Sequence, residues 1–170
     1  MGLQSKMVIY VAIAGLFAMM GGFVWYASLD NPQLAMAEVE LQNIEVIFVD
    51  TVENSAKLQI TFLVKNPSEK TFTVPIISYD LYADGVKLGA TSYSTVDIAM
   101  PGRAAFYPGA EIPLKNFFQL FRSKVDFNIY QTIVNGENVE FSAEGIITVE
   151  NAWSLVEKEF QSSLLIQNSN

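Results

Sequence analysis

The side chains best suited to chemistry in this chain are carboxylates. Asp80 and Asp84 stand four residues apart, and Glu137, Glu140 and Glu144 follow one another along a later segment. Carboxylates at such spacings could serve as a general acid and base, or as calcium ligands. However, the pattern Asp-x-x-x-Asp-Gly lacks the ligand spacing of an EF-hand, and glutamates that recur along a strand usually form a solvated face.

The residue types that are absent narrow the reactions further. The chain contains no histidine and no cysteine, which excludes a histidine general base, a thiolate nucleophile, disulfide bonds and cysteine-bound metals. A serine nucleophile would need a lysine base, and no Ser-x-x-Lys motif is present. We therefore expect a protein that is not an enzyme and that has no cofactor and no metal site.

A long apolar segment lies near the N-terminus. Residues 7–27 (MVIYVAIAGLFAMMGGFVWYA) form a run of 21 residues without a charged side chain. At about 1.5 Å per residue, a helix of this length crosses about 30 Å of hydrocarbon. Lys6 precedes the run and Asp30 and Glu38 follow it, and cationic flanks tend to stay in the cytoplasm. We expect a cytoplasmic N-terminus over 1–6, one transmembrane helix, and the remaining chain outside the cell membrane.

A cleaved signal peptide is the alternative interpretation of this segment. Ala35, Met36 and Ala37 form an A-x-A cleavage site. Signal peptides usually have an apolar core of about 7 to 15 residues, shorter than this run, and the site lies about ten residues beyond its end. Both points favour an uncleaved anchor.

Small residues recur along one stripe of the predicted membrane helix. Ala14, Ala18 and Gly22 are spaced four apart, which lets helix backbones approach closely in lipid and would suit docking onto a partner helix. Glycine and alanine are also common in any membrane helix, which is the alternative explanation. Trp25 and Tyr26 at the outer end fit an interfacial aromatic anchor.

The segment after the run predicts a tether and then one acidic domain. Residues 28–37 (SLDNPQLAMA) contain Asn-Pro without alternation, so we expect a linker, a domain over 38–166 and a polar tail at 167–170. All 18 acidic residues and nine of the ten basic residues follow the run, which gives this part a net charge of −9. Such charge repels phosphate backbones and anionic lipid head groups, so nucleic acid is not an expected partner.

Apolar and polar residues alternate with a period of two through the domain, as half-buried antiparallel strands require. Three segments show this, with one face made of Leu58, Ile60, Phe62 and Val64, of Val139, Phe141 and Ala143, or of Phe160, Ser162, Leu164 and Ile166. In the first strand the apolar phase slips between Leu41 and Ile44, which predicts a β-bulge at Gln42-Asn43.

Asp84-Gly85 lies between two apolar runs and predicts a two-residue type I′ hairpin turn. Folding at that turn would pair Ala83 with Val86, Leu81 with Leu88 and Tyr79 with Ala90, all on one face. We expect a further strand over 92–99, a turn at Pro101-Gly102 and a return strand over 104–114.

The period then changes to three or four residues over 116–134 (NFFQLFRSKVDFNIYQTIV), which predicts one amphipathic helix that ends at Asn135-Gly136. Its second half also fits a short strand. The aromatic side chains of this segment could hold an acyl chain between helix and sheet, although phenylalanines at helical spacing equally form ordinary core. These candidate lipid contacts are Phe117, Phe118, Phe121 and Phe127.

Two prolines divide the segment between residues 63 and 89. Proline cannot donate to a sheet ladder and forces the preceding residue into extended geometry, so Asn66-Pro67 should end one strand and bend the chain. The Asn66 side chain could cap nearby backbone amides. Pro75 should begin the next strand, where a missing N–H group is tolerated.

This order of features resembles the WHy domain of the group 2 late-embryogenesis-abundant (LEA type 2) proteins. The similarity rests on an apolar strand ending in Asn-Pro, then Val-Pro-Ile, then YDLYADGVKLG at 79–89, and the matching positions are Asn66, Pro67, Pro75, Asp84, Gly85 and Gly89. The resemblance implies an all-β fold: a β-sandwich of the fibronectin type III or immunoglobulin-like sort, with about seven strands and one helix. It implies no catalytic role for these residues, whose turn chemistry explains them.

The family is linked to desiccation and cold stress, to protection of other proteins from denaturation and to lipid binding. A chain without cysteine or an unblocked glycosylation sequon suits a prokaryotic envelope, bacterial or archaeal. Three hypotheses follow. The chain is a membrane-anchored, outward-facing module that protects client proteins under osmotic, drying or cold stress, or it holds a lipid, or it is an accessory subunit that docks on a membrane-protein partner through its helix.

Overall fold

The computed structural model describes residues 2–95 and 104–166. A long helix, α1 (Gly2–Ser28), is followed by a short one, α2 (Asn31–Leu34). The described strands are β1 (Glu38–Asp50), β2 (Ser55–Lys65), β3 (Phe72–Ala83), β4 (Val86–Ser94), β5 (Ala105–Phe106), β6 (Glu111–Phe121), β7 (Val139–Glu150) and β8 (Leu155–Ile166). Between β6 and β7 lie one 3₁₀ turn (Arg122–Lys124) and the helix α3 (Phe127–Val134).

The strands form two antiparallel sheets. One has the order β1-β2-β6, and the other has the order β4-β3-β7-β8, with the short β5 also paired to β3. The all-β sandwich with one helix is therefore confirmed, with one strand more than the seven expected among the residues described.

The core lies between the two sheets and follows the alternation in the sequence. Leu58, Ile60, Phe62 and Val64 of β2 are fully buried, and so is every apolar residue predicted to face inward at the start of β7. The last strand is an edge of its sheet, and its predicted inner row is only half-buried, because it faces the neighbouring edge strand β1.

The β-bulge predicted near Gln42-Asn43 is confirmed. The pairing of β1 with β2 shifts register between Leu41 and Asn43, and it shifts again between Val46 and Phe48. At the first shift the Leu41 N–H turns away from β2 and donates to Ser162 Oγ of β8 at 2.8 Å. The bulge therefore joins the edges of the two sheets.

The hairpin turn is confirmed, but part of its predicted register is wrong. Asp84 and Gly85 have φ values of 47° and 78°, and Ala83 pairs with Val86, as a type I′ turn requires. Farther along, Leu81 pairs with Gly89 and not with Leu88. Leu88 is the extra residue of a bulge.

The bulge changes which side chains of β4 are buried. Leu88 is only 5% exposed, whereas Val86 is 39% exposed, so the six residues do not share one face. Tyr79 accordingly pairs with Thr91 and not with Ala90. A Cβ on Gly89 would lie 3.1 Å from Phe118 Cζ, so β4 packs closely against β6 next to the bulge.

The helix predicted over 116–134 is wrong in its first half. Residues up to Phe121 belong to β6, which pairs with β2 along its whole length, and only Phe127–Val134 is helical. The return strand predicted over 104–114 is correspondingly displaced toward 111–121. The β4 strand ends at Ser94, and the Pro101-Gly102 turn lies outside the described residues.

Residues 28–37 do not form the tether that we expected. α2 begins with proline in its first turn, and Leu34 and Ala37 are completely buried in the sandwich core. The Lys158 ammonium group of β8 donates to the Ala37 carbonyl at 2.7 Å. The segment is thus packed against the domain.

Candidate functional site

Asn66 is the centre of a buried polar cluster. Its side chain is 1% exposed, and its amide nitrogen donates to the carbonyl oxygens of Lys70 and Phe106, each at 2.8 Å. Its side-chain oxygen accepts from the Ser68 N–H at 3.0 Å and from Ser68 Oγ at 2.7 Å. The side chain thus links the β2–β3 loop to β5.

The backbone of Asn66 completes the same cluster. Its N–H donates to the Ala110 carbonyl at 2.9 Å, and its carbonyl accepts from the Gly109 N–H at 2.8 Å. Each polar group of this buried residue has a partner, which explains why asparagine, a donor and an acceptor in one side chain, stands before Pro67.

Pro75 lies inside β3 and does not begin it. It falls within the register shift between Thr73 and Ile76 in the pairing of β3 with β7, where a missing N–H group leaves no ladder position empty. Its carbonyl accepts from the Thr95 N–H at 3.0 Å. The matched prolines and glycines therefore occupy bends, bulges and turns.

The four phenylalanines considered for lipid contact do not line one cavity. Phe118 is 7% exposed and packs on Gly89, whereas Phe117 is 51% exposed on the opposite face of β6 beneath the Lys57 ammonium group, 4.4 Å away. Phe121 and Phe127 lie beyond it, beside Lys124 and Arg122 respectively. A cavity of about 480 Å³ does lie between α3 and the sheets, but none of the four phenylalanines lines it.

The small-residue stripe lies on α1, away from the sandwich. Ala14, Ala18 and Gly22 are exposed, and a Cβ on Gly22 would meet nothing within 4 Å. α1 is long and apolar enough to cross a membrane, and its most apolar window of 18 residues has a mean hydropathy of 2.2.

Three of the carboxylates considered for acid–base chemistry or calcium binding have structural partners. Asp80 pairs with Lys87 at 2.6 Å, and Asp84 Oδ1 accepts from the Glu140 N–H at 3.0 Å. Glu144 accepts a hydrogen bond from the Tyr82 hydroxyl, which raises the pKa of Tyr82 to about 12. Within 2–95 and 104–166, no three acidic residues lie close enough together to hold a metal ion.

A junction between α1 and the sandwich was not predicted from the sequence. Asp30, just after α1, accepts from Lys70 Nζ of the β2–β3 loop at 3.1 Å and from Asn151 Nδ2 of the β7–β8 turn at 3.1 Å. Gln33 Oε1 of α2 accepts from the Glu69 N–H at 3.2 Å. These contacts join residues that are far apart in the chain, so periodicity gave no sign of them.

An aromatic contact continues the junction along α1. The rings of Phe23 and Trp153 meet edge to face with centroids 5.8 Å apart. Between α1 and the domain is a cavity of about 490 Å³, lined by Tyr26, Leu29, Asp30, Gln33, Glu69, Lys70 and Trp153. The Asn31-Pro32 pair was the one local signal of this region, since proline in the first turn is typical of a helix start.

The comparison with known proteins shows which fold the chain has, but it does not assign the chain to a family. No protein-family model matches the chain, and no curated protein matches it in sequence. The solved structure of AT1g01470 from Arabidopsis thaliana is similar, with a TM-score of 0.51 and 12% identity over 78% of this chain and 83% of that one. At that identity the likeness shows a shared fold alone.

Two further solved structures match at a lower level. A protein from Archaeoglobus fulgidus has a TM-score of 0.45 and 15% identity over 77% of this chain and 99% of that one. A putative late embryogenesis abundant (LEA) protein, At2g46140.1, has a TM-score of 0.45 and 11% identity over 92% of this chain and 88% of that one.

Proposed function

We propose that this protein is a membrane-anchored, outward-facing module that binds and stabilises other envelope components without catalysis. The observation that carries the proposal is the junction around Asp30, which fixes an exposed apolar helix to a β-sandwich. A domain held in this way stays close to the membrane surface and acts on what lies there. Lys6 before the helix and acidic residues after it favour a cytoplasmic N-terminus and an outer domain.

The packing of α2 supports an uncleaved anchor. Cleavage after Ala37 would remove Leu34 and Ala37, both fully buried, from the core. It would also sever the segment that Lys158 holds through the Ala37 carbonyl. Loss of a buried leucine side chain typically costs about 2 to 5 kcal/mol, so the mature domain gains stability by keeping this segment.

The stress-protective role follows from the resemblance to LEA type 2 proteins, and the shared fold is compatible with it. The acidic surface suits a module that keeps its neighbours soluble. The test is to dry and rehydrate native membranes from cells with and without the protein and to measure how much envelope protein becomes insoluble. We expect more insoluble protein without it. Equal insolubility and equal survival of both strains after drying would refute the protective role.

An accessory subunit of a membrane complex is the second candidate. The exposure of Ala14, Ala18 and Gly22 on a helix whose other contacts lie near its outer end favours it. Replacing the three with leucine should abolish co-purification of a stoichiometric partner in mild detergent, whereas leucine at the exposed Ile9, Ile13 and Met20, on the opposite face of α1, should not. Unchanged co-purification of the first variant would exclude docking through this stripe.

Lipid binding is a third possibility. Among the described residues, however, no acyl-chain pocket lies around the four phenylalanines. Mass analysis of lipids that co-purify with the full chain tests it directly. A single enriched lipid class would revive the hypothesis at another site, and bulk membrane lipid alone would argue against it.

A further inference from the structure

The end of the sandwich nearest α1 carries exposed apolar side chains that no residue of the domain within 38–95 and 104–166 covers. Trp153 is 64% exposed in the β7–β8 turn, and the adjacent Leu155 is 58% exposed. Across the cavity, Tyr26 and Leu29 are 69% and 50% exposed. Exposed tryptophan in a tight turn is costly in water, because the indole is one of the largest apolar surfaces in proteins.

The depth of Trp153 follows from its contact with α1. Phe23 lies inside the apolar run, five residues before the end of α1 at Ser28, which corresponds to about 7.5 Å along a helix axis. Because the Trp153 ring touches the Phe23 ring at 5.8 Å between centroids, it lies level with apolar residues of the span and not beyond them.

The turn that carries Trp153 is fixed to the helix end. Asn151 Oδ1 accepts from the N–H groups of Trp153 and Ser154 at 2.9 and 2.8 Å, and the Asn151 N–H closes the turn onto the Ser154 carbonyl at 2.9 Å. The side-chain nitrogen of the same Asn151 donates to Asp30. One asparagine thus shapes the turn and ties it to α1.

The cavity lining is mixed in character. Tyr26, Leu29 and Trp153 are aromatic or apolar, and Asp30, Gln33, Glu69 and Lys70 are polar or charged. Such a mixture matches the region between acyl chains and head groups, where tryptophan and tyrosine are enriched.

We infer that the β7–β8 turn is a second membrane contact, with Trp153 inserted into the lipid interface beside α1. The inference rests on the proposed anchoring of α1 in the membrane. It makes the sandwich a domain held against the bilayer at two points, with the β1–β2 turn directed away from it. The molecules that cover the exposed apolar side chains around Trp153 are phospholipids of the outer membrane surface.

The test uses tryptophan fluorescence of the full chain in phosphatidylcholine nanodiscs with brominated acyl chains. The chain has two tryptophans, so Trp25→Phe leaves Trp153 as the only reporter. We expect its emission to be blue-shifted, to be lost largely to the brominated lipid, and to resist aqueous iodide. Emission that iodide quenches and brominated lipid leaves unchanged would overturn the inference.

A matched reporter at the opposite end keeps this result interpretable. Phe48 lies near the β1–β2 turn and is 58% exposed, close to the exposure of Trp153. In the triple variant Trp25→Phe, Trp153→Phe and Phe48→Trp, the new indole should be quenched by iodide and not by brominated lipid. Identical quenching at the two ends would contradict a fixed orientation and so overturn the inference.

Failure of this inference is distinguishable from failure of the anchor. If α1 does not cross the membrane, alkaline carbonate will extract the protein from native membranes. A protein that resists extraction and incorporates into nanodiscs, but exposes Trp153 to iodide, retains the anchor and refutes only the second contact.

Discussion

Individual buried polar residues stabilise this domain because each of their donor and acceptor groups has a hydrogen-bond partner. Asn66 shows the principle, since its two donor and two acceptor bonds all lie within a cluster that water does not reach. The sequence predicted a bend at Asn66-Pro67 and a capping side chain. It did not predict the partners, because Phe106 lies 40 residues away and no local rule specifies it.

Asn66→Asp tests the cluster with almost no change in shape. The carboxylate cannot donate to the Lys70 and Phe106 carbonyls and would face them with like partial charge, so we expect a loss of about 3 kcal/mol or more in unfolding free energy. Ser68→Ala removes one hydroxyl from the same cluster and should cost about 1 kcal/mol. Denaturant unfolding of the full chain in detergent measures both, and equal small losses would contradict this role of Asn66.

Tyr79 predicts how stability depends on alkaline pH. Burial raises its pKa from 10.0 to about 12, even though the Asn116 amide donates to its hydroxyl at 3.0 Å and opposes the rise. Between these values the unfolded state has lost its proton and the folded state has kept it. The contribution of Tyr79 to stability should therefore be constant well below pH 10 and fall by up to about 1.4 kcal/mol per pH unit between pH 10 and 12.

Unfolding of Tyr79→Phe at a series of pH values provides the control. The variant lacks the titrating group, so its stability should fall less steeply between pH 10 and 12 than that of the natural protein. Some slope should persist, because the hydrogen bond to Glu144 raises the pKa of Tyr82 and burial raises the pKa of Tyr93. Parallel pH profiles for the two proteins would exclude Tyr79 as a source of the dependence.

Among the elements, strands with unambiguous patterns were predictable and β6 was not. β2 combines strict alternation with a proline stop, and the hairpin combines alternation with Asp-Gly. In β6, Leu114, Phe118 and Leu120 face inward with a period of two, but Phe118, Phe121 and Val125 also fit a helix. Pairing with β2 makes this segment a strand. If it were helical, one edge of β2 would be unpaired, and the backbone N–H and C=O groups along that edge would lack partners.

The close approach of β3 and β7 at Gly145 predicts a large loss of stability when a side chain is added there. A Cβ there would lie 2.0 Å from the Ser78 carbonyl oxygen and 2.7 Å from Tyr79 Cα, so Gly145→Ala must push β3 and β7 apart. We expect a loss of about 3 kcal/mol in unfolding free energy. Gly85→Asn is the control: a Cβ there meets nothing within 4 Å, and asparagine tolerates the positive φ of 78° better than most side chains, so we expect a smaller loss. A Gly145→Ala protein as stable as the control would contradict the packing.

At the scale of the whole molecule, the junction at Asp30 determines how the domain sits on its helix. The sequence predicted an apolar span and a domain, but it treated 28–37 as a tether. That error is physical in origin: Asp30 and Asn151 are 121 residues apart, and long-range polar pairs leave no periodic signal. The same holds for Trp153, whose importance appears only once its ring is seen beside Phe23.

Asp30→Ala should loosen the domain without unfolding it, because the Lys70 partner is half-exposed and such an ion pair contributes only about 0 to 1 kcal/mol. Spin labels at Met20→Cys in α1 and Val52→Cys in the β1–β2 turn report the distance between them, and the natural chain has no cysteine to interfere. We expect a broader distance distribution in Asp30→Ala than in the natural protein. Asp80→Ala, which removes the remote pair with Lys87, should leave the distribution unchanged. An unchanged width in Asp30→Ala would refute the junction.

The central claim is a permanently anchored domain outside the membrane, and cysteine labelling tests it most directly. Val52→Cys lies in the exposed β1–β2 turn, and Ser5→Cys lies before the apolar run. With a membrane-impermeant maleimide, Val52→Cys should label in intact cells and Ser5→Cys only after lysis, both on full-length protein in the membrane fraction. The reverse labelling pattern, or a shortened Val52→Cys protein in the soluble fraction, would contradict the claim.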